Sequence, residues 1–414
     1  MRVSNLFTKT SKNAPADEVA KNAQLLSRAG FIYKEMAGVY TYLPLGKIVI
    51  DKIIQIVREE MNAVGGVEMS LTALQSKDTW EASGRWSDEV MDVWFKTKLA
   101  SGSEVGLAPT HEEPLTKLMK DFIHSYKDLP AYPYQFQIKF RNELRSKSGL
   151  MRGREFWMKD LYSFSRDRNE HDVFYEKISK AYEKVYNRFG IGDITYKTFA
   201  SGGSFSKYSH EFQTISDVGE DTIYVHEGKR IAINEEVYND EVLADLGIKK
   251  EELVEKKAVE VGNIFTLGNK FSDAFDLKYT DEDGTSKPVF MGSYGIGPSR
   301  IMGLIAELFS DEKGLVWPEN IAPYRVYLVQ IGGESSMECA DELYEELKKR
   351  NIEVLYDDRD VRPGQKFADS ELMGIPYRVT VSDRMMADEV YEFVVRSDGQ
   401  KSLLTHDQLL DKLS

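Results

Sequence analysis

The chain has 414 residues, with 54 Lys and Arg against 68 Asp and Glu, a net charge of −14. So acidic a chain is not a general nucleic-acid coat. Its single cysteine, Cys339, excludes an intrachain disulfide and a cysteine-based zinc cage, and no run of about 18 apolar residues is present to span a membrane. The N-terminal MRVSNLFTKTSKNAPADEVAKN is polar and has no apolar h-region, so a cytoplasmic location is expected. The length predicts two or three domains.

In chain order, the first clear element is a helix from Gly46 to about Met61. Val49, Ile50, Ile53, Ile54, Val57 and Met61 fall on one face, and Pro44-Leu45-Gly46 is its entrance. Pro109-Thr110-His111-Glu112-Glu113 follows. On a strand, a hydroxyl and a carboxylate two residues apart share a face and are able to grip an ammonium group. The same string also reads as a helix-capping Thr followed by solvated glutamates.

Residues 132–140 (YPYQFQIKF) alternate large apolar and polar groups, and 156–166 (FWMKDLYSFSR) form a second strand-like run. The stretch between them is a long hairpin loop. Residues 139–154 hold six basic groups (Lys139, Arg141, Arg145, Lys147, Arg152, Arg154) and one acid, Glu143. Arginine forks bind two phosphate oxygens in a fixed plane, and Phe156 is placed to stack on a base. The alternative is a solvated basic hairpin.

Residues 171–190 carry a helical pattern. Ser201-Gly-Gly-Ser204-Phe-Ser206 and Ser209-His210-Glu211-Phe212 place Ser, His and Glu close in sequence. No G-x-S-x-G elbow is present, so no nucleophilic triad is expected, and no P-loop occurs. Residues 213–260 turn polar and acidic and read as a short helical surface connector. Strand-like runs return near 274–291.

Met291-Gly-Ser-Tyr-Gly-Ile-Gly-Pro-Ser-Arg300 fails the dinucleotide fingerprint, because Arg300 stands where the third glycine belongs. Its order is strand, glycine turn, Pro298 at a first helical position and Arg300 in the first turn, where a helix N-terminus favours anions. Tight strand–helix packing by glycines is the competing explanation. A boundary falls at WPENIAP, 317–323. Beyond it strands and helices alternate (325–331, 335–350, 352–356, 365–373, 377–382, 390–396, 405–413), which predicts a small α/β domain with a largely parallel sheet.

Together these motifs resemble the class II aminoacyl-tRNA synthetases, and specifically the prolyl-tRNA synthetases of bacterial type. Phe140–Phe156 is similar to the class II second motif and GSYGIGPSR to the third. GVYTYLPLG, residues 38–46, with the following helix is similar to the first motif. Residues 109–113 are similar to the Thr-x-Glu element that holds proline, and 357–378 resemble the anticodon-binding domain. Three departures stand out. Thr72 occupies the place of an interface proline and Ser293 that of a frequent cysteine. The 78 residues between Phe212 and Met291 leave no room for an editing insertion.

The resemblance implies an α/β (α+β) two-domain chain: a class II antiparallel-sheet catalytic domain over 1–320 and an α/β anticodon-binding domain over 321–414. It implies ATP-dependent attachment of L-proline to tRNA(Pro) through prolyl-adenylate, by a homodimer without a membrane segment. Arg141 and Arg300 would be catalytic. Glu143, Arg152, Phe156 and Glu260 would join them around ATP, with Glu260 as a Mg²⁺ ligand and no zinc. Thr110, Glu112, Arg141, Met158, Asn263 and Phe265 would surround proline. Asp358, Arg362 and Lys366 would meet the anticodon, unless 357–360 is only a solvated turn. Correction of mischarged alanine would fall to a factor acting in trans. Two rivals are disfavoured. A threonyl enzyme would need a Cys/His/His zinc site, and a catalytically dead paralogue would have lost the motif arginines.

Overall fold

The computed structural model describes residues 1–146, 148–202 and 208–414. They divide into two compact units. One holds residues 53–146 and 152–301; the other holds residues 1–52 and 302–414 with the short stretch before Arg152. The expected first helix runs Pro44–Ala63, and Val49, Ile50, Ile53, Val57 and Met61 on its apolar stripe are fully buried.

The first unit is built on a nine-stranded sheet. Its strands are β1 (Val67–Glu68), β2 (Pro133–Phe140), β3 (Glu155–Ser165), β4 (Thr195–Ser201), β5 (Tyr208–Ile215), β6 (Asp221–His226), β7 (Ile231–Asn234), β8 (Val254–Gly268) and β9 (Phe290–Ile296). The order is β5-β4-β7-β6-β8-β9-β3-β2-β1, with a further pairing of β5 to β8. Its helices are α1 (Glu112–Met119), α2 (Arg168–Arg188), α3 (Asp240–Leu246) and α4 (Lys270–Phe275), and α5 (Pro298–Leu308) begins at its end. The two expected strands are β2 and β3, paired antiparallel with Phe140 opposite Glu155 and Gln135 opposite Asp160.

Alternation along the pleat gives the sheet two faces. On one, Lys159 and Leu161 of β3 and Gly292 and Tyr294 of β9 turn toward α2 and its buried Phe174, Ile178 and Tyr182. The fully buried Lys159 donates to the Tyr182 hydroxyl at 2.6 Å and to the Tyr294 carbonyl at 3.0 Å. On the opposite face, Tyr162 and Phe164 join Met291, Leu115 of α1 and Phe271 of α4 in an apolar cluster. Beyond that cluster the same face becomes polar.

Residues 213–260 are not a helical surface connector. They contain β6, β7 and the ends of β5 and β8, with α3 as a seven-residue helix between them. Strands β5, β4, β7, β6 and β8 pair in a closed ring. Ile223, Val225, Ala232 and Ala258 are buried in one small core, and Ile233, Val242, Leu243 and Ile248 in another. Few apolar residues suffice here because each strand buries mainly alternate positions in the ring.

After residue 320 the strands are β10 (Val326–Ile331), β11 (Val354–Asp357), β12 (Tyr377–Ser382), β13 (Tyr391–Val395) and β14 (Lys401–Leu404). The helices are α6 (Glu334–Lys349), α7 (Pro363–Met373) and α8 (His406–Leu413). The order is β11-β10-β12-β13-β14. The first three strands run parallel, and β13 and β14 add an antiparallel edge, so the sheet is mixed rather than largely parallel.

Gly292 shows why α2 approaches β9 so closely. A Cβ there would lie 2.5 Å from both the His171 ring and the Tyr294 hydroxyl. Gly292→Ala is expected to destabilise the fold by about 1–3 kcal/mol through overpacking, read as a lower apparent Tm in a thermal scan.

Candidate active site

The Pro109–Glu113 segment is neither a strand nor a cap with solvated glutamates. It is a loop that turns into α1 at Glu112, with His111 as N-cap residue. The turn swings Glu112 back so that the Thr110 hydroxyl donates to its Oε2 at 2.6 Å. Glu112 is only 9% exposed and Glu113 is fully buried. The compensating cation is Arg85, whose Nη1 lies 2.9 Å from Glu113 and 3.4 Å from Glu112. Burial pushes Glu113 up to about 7, against the pull of Arg85.

Beneath this loop lies a set of buried polar groups that sequence patterns did not single out. Lys139 of β2 and Asp160 of β3 form an ion pair of 2.8 Å, both side chains at or below 5% exposure. The Lys139 ammonium also meets His111 Nδ1 at 2.6 Å, and His111 Nε2 reaches the Thr72 carbonyl at 3.0 Å. The ring therefore accepts from the ammonium through Nδ1 and donates through Nε2. Burial and then Lys139 lower His111 to about 4, so it is neutral. Gln135 and the Tyr162 hydroxyl both donate to Asp160 Oδ2, each at 3.1 Å, and Tyr162 accepts from the His111 amide at 3.2 Å. The detectable signal was a lysine and an aspartate inside two strands whose neighbours are apolar.

The basic hairpin is only partly solvated. Arg141 donates to the Pro109 carbonyl at 3.3 Å and lies over the Phe156 ring, 5.4 Å from its centroid. Among the described residues it has no carboxylate partner. Burial, and then nearby Arg300, pull its pKa below the usual guanidinium value. Two partly exposed guanidiniums close enough to repel one another make a receptor for an anion. Glu143 accepts from Arg152 at 2.8 Å, and Arg152 bridges on to Glu220 at 2.6 Å. Lys147 lies outside the described residues.

Arg300 stands in the first turn of α5, as expected. Its Nη1 donates to the Glu260 carbonyl at 2.6 Å and to Glu260 Oε2 at 3.0 Å, while Asn263 donates to Glu260 Oε1 at 2.9 Å. Gly295 keeps the floor open between Asn263 and Asp160, its neighbours across the two ladders; a Cβ there would sit 2.9 Å from Asn263 Oδ1. Glu211, paired across from Asn263, accepts from Gln213 and Asn234 at 2.9 and 3.2 Å. Burial, and then Glu260, push Glu211 up to about 7.

Met158 and Phe265 share this face but not a row. Met158 is opposite Gln137, whereas Phe265 lies across Ser293 from Tyr162 and packs on the apolar cluster. His210 points at Tyr175, 2.7 Å away, while neighbouring Ser209 bonds the Ser201 carbonyl, so the two form no nucleophile–base pair. Ser204 and Ser206 lie outside the described residues. Among the described residues no three His, Cys, Asp or Glu side chains converge as a metal site.

Residues 357–360 are not simply a solvated turn, since only Asp360 of the four is exposed. Asp357 is fully buried and holds Tyr327 at 2.8 Å and Arg359 at 2.6 Å. Lys366 is 3% exposed and donates to the Gln330 and Asp357 carbonyls at 2.8 and 3.1 Å, which removes it as a surface contact. The Asp358 carboxylate is taken by the amide and hydroxyl of Ser4, at 3.0 and 2.6 Å. Of the three, Arg362 alone is exposed, at the N-cap of α7.

The antiparallel sheet, the arginine-bearing hairpin and the arginine in the helix after β9 define a class II tRNA synthetase. The family model for the class II core of the G, H, P, S and T enzymes matches residues 95–309, and an anticodon binding domain matches 325–414. The chain is 34% identical over 439 residues to a proline--tRNA ligase of Agrobacterium fabrum, covering 100% of this chain and 99% of that one. With a proline--tRNA ligase of a Geobacillus strain it is 32% identical over 565 residues, with 100% and 99% covered. The chain belongs to the proline--tRNA ligase family. The longer alignment, against 414 residues here, marks an insertion that this chain lacks. A crystal structure of prolyl-tRNA synthetase from Cryptosporidium parvum, complexed with L-proline and AMP, shares the fold. Its TM-score is 0.76 at 19% identity, over 94% of this chain and 73% of that one.

The Glu211 proton stays bound in the native state to about pH 7, whereas the unfolded chain releases it near 4.5. Raising the pH across that window therefore favours the unfolded chain. Glu211→Gln is expected to flatten the fall of Tm between pH 5 and 8 in scans of wild type and variant.

Proposed function

We propose that this chain activates L-proline with ATP and attaches it to tRNA(Pro). The observation that carries this reading is Arg141, which has no carboxylate partner among the described residues and feels the charge of Arg300, beside the Thr110–Glu112 hydrogen bond. Proline's carboxylate oxygen bonds to the α-phosphorus of ATP as the bond to pyrophosphate breaks. A terminal ribose hydroxyl of the tRNA then attacks the prolyl carbonyl, and AMP leaves. Neither step needs a protein nucleophile; both need alignment and opposing charge.

Arg141 holds the α-phosphate and the carboxylate together. Arg300 and Arg152 take the pyrophosphate end, Arg152 by releasing Glu143 or Glu220. Phe156 stacks on adenine and Glu143 accepts from its amino group. Thr110 and Glu112 receive the two N–H groups of the prolyl ammonium, while Met158, Asn263 and Phe265 border the ring. The donor chemistry near Glu260 fits Mg²⁺: a second carboxylate, Glu211, is forced toward protonation beside it, and Gln213 Oε1 is buried without a hydrogen-bond partner among the described residues. Bound there, the ion would neutralise phosphate charge while keeping several waters. Residues 321–414 serve as the anticodon-binding domain, with Arg362 the RNA contact. Kinship further suggests a cytoplasmic homodimer, tested by its mass in solution, and a separate factor that corrects errors.

ATP–pyrophosphate exchange is expected with proline and not with threonine; exchange on threonine, or none, overturns the assignment. Arg141→Ala is expected to lower proline-dependent exchange by at least about a hundredfold. Because one or two methylenes separate substrates by only about 1–3 kcal/mol, purified enzyme is expected to accumulate Ala-tRNA(Pro). Prompt hydrolysis of that product by this chain alone would show a correcting activity.

A further inference from the structure

Two carboxylates dictate the direction of the hydroxyl hydrogen bonds beneath the Thr-x-Glu loop. An ionised carboxylate only accepts. The Thr110 hydroxyl, 2.6 Å from Glu112, must therefore donate to it. The Tyr162 hydroxyl, 3.1 Å from Asp160, must likewise spend its proton there. Tyr162 is then left with lone pairs only. One receives the His111 amide at 3.2 Å, and the hydroxyl sits 3.5 Å from Thr110 without a proton to offer it. The free lone pairs of Thr110 consequently remain open toward the site.

This polarity requires Asp160 to stay charged although it is buried. The counter-charge is Lys139, itself fully buried, 2.8 Å from Asp160 and 2.6 Å from the accepting nitrogen of His111. Without it a buried carboxyl takes up a proton. Asp160 would then be able to donate to Tyr162, and Tyr162 would turn its own proton toward Thr110.

The geometry points to Lys139 as a positioning residue for amino-acid recognition: through Asp160 and Tyr162 it keeps Thr110 an acceptor, so that the site selects a substrate bearing N–H donors. Lys139 acts through two intervening side chains, Asp160 and Tyr162. The inference rests on the reading of Thr110 and Glu112 as the groups that hold the prolyl ammonium.

The test is steady-state ATP–pyrophosphate exchange with proline and ATP varied separately. Lys139→Met is expected to raise the KM for proline roughly tenfold to a hundredfold while the KM for ATP stays within about twofold. Adding Asp160→Asn, whose amide oxygen still accepts from Tyr162 and carries no charge to neutralise, is expected to restore most of the proline KM. If Lys139→Met does not fold, Lys139→Gln decides, with the same selective rise expected, because its neutral amide does not hold Asp160 ionised. An unchanged proline KM, a parallel rise for ATP, or no recovery in the double variant overturns the proposal. Thr110→Val and Glu112→Gln separate the two levels. If both raise the proline KM and Lys139→Met does not, only the role of Lys139 falls. If neither does, the loop is not the amino-acid site and both fall.

Discussion

The pairing register of β2 with β3 is the constraint on which the rest of the site depends. In that register Lys139 and Gln135 on one arm and Phe156, Met158, Asp160 and Tyr162 on the other share a face. A slip of one residue would send Lys159, now held by Tyr182 behind the sheet, into the site and carry Asp160 out of it. Both lysines are fully buried, and each finds its partners only in the observed register. A charged group sealed from water without a partner is far more expensive than a mispaired apolar one. The two ammoniums therefore specify the alignment more sharply than the aromatic side chains around them.

The third motif is attached to the same frame. β9 pairs with β3 on one side and with β8 on the other, which places Gly295 between Asp160 and Asn263. The motif's glycines serve two ends. Gly292 lets α2 close against the back of the sheet, while Gly295 leaves room on the front. Packing and ligand access are thus both reasons for glycine in one short strand.

Much of this was legible before the structure. The period of the first long helix, the alternation in β2 and β3, and the Pro298 start of α5 all come from local physics. Less legible was anything set by partners distant in sequence. The polar run 213–260 resembled a surface connector because a closed ring of short strands buries few side chains per strand. Asp358 and Lys366 resembled RNA contacts because sequence does not reveal that Ser4 and two carbonyls occupy them. Lys139 and Asp160 were visible only as charges inside strands, a pattern whose meaning depends on which strand lies opposite. The positive charge of the hairpin is less free than its residue types imply, since Glu143 and Glu220 engage Arg152. Arg141, held by the Pro109 carbonyl, has no carboxylate partner among the described residues.

The closed ring has a consequence for the protein's behaviour at high concentration. An open sheet offers two rows of unpaired backbone groups, each able to recruit a strand from another molecule. Here β5 pairs back onto β8, so that side of the sheet ends in a loop of strands. The other side ends in β1, only Val67 and Glu68 long. Two residues offer too short a template for a stable intermolecular ladder. The large sheet that carries the chemistry is thereby kept from growing.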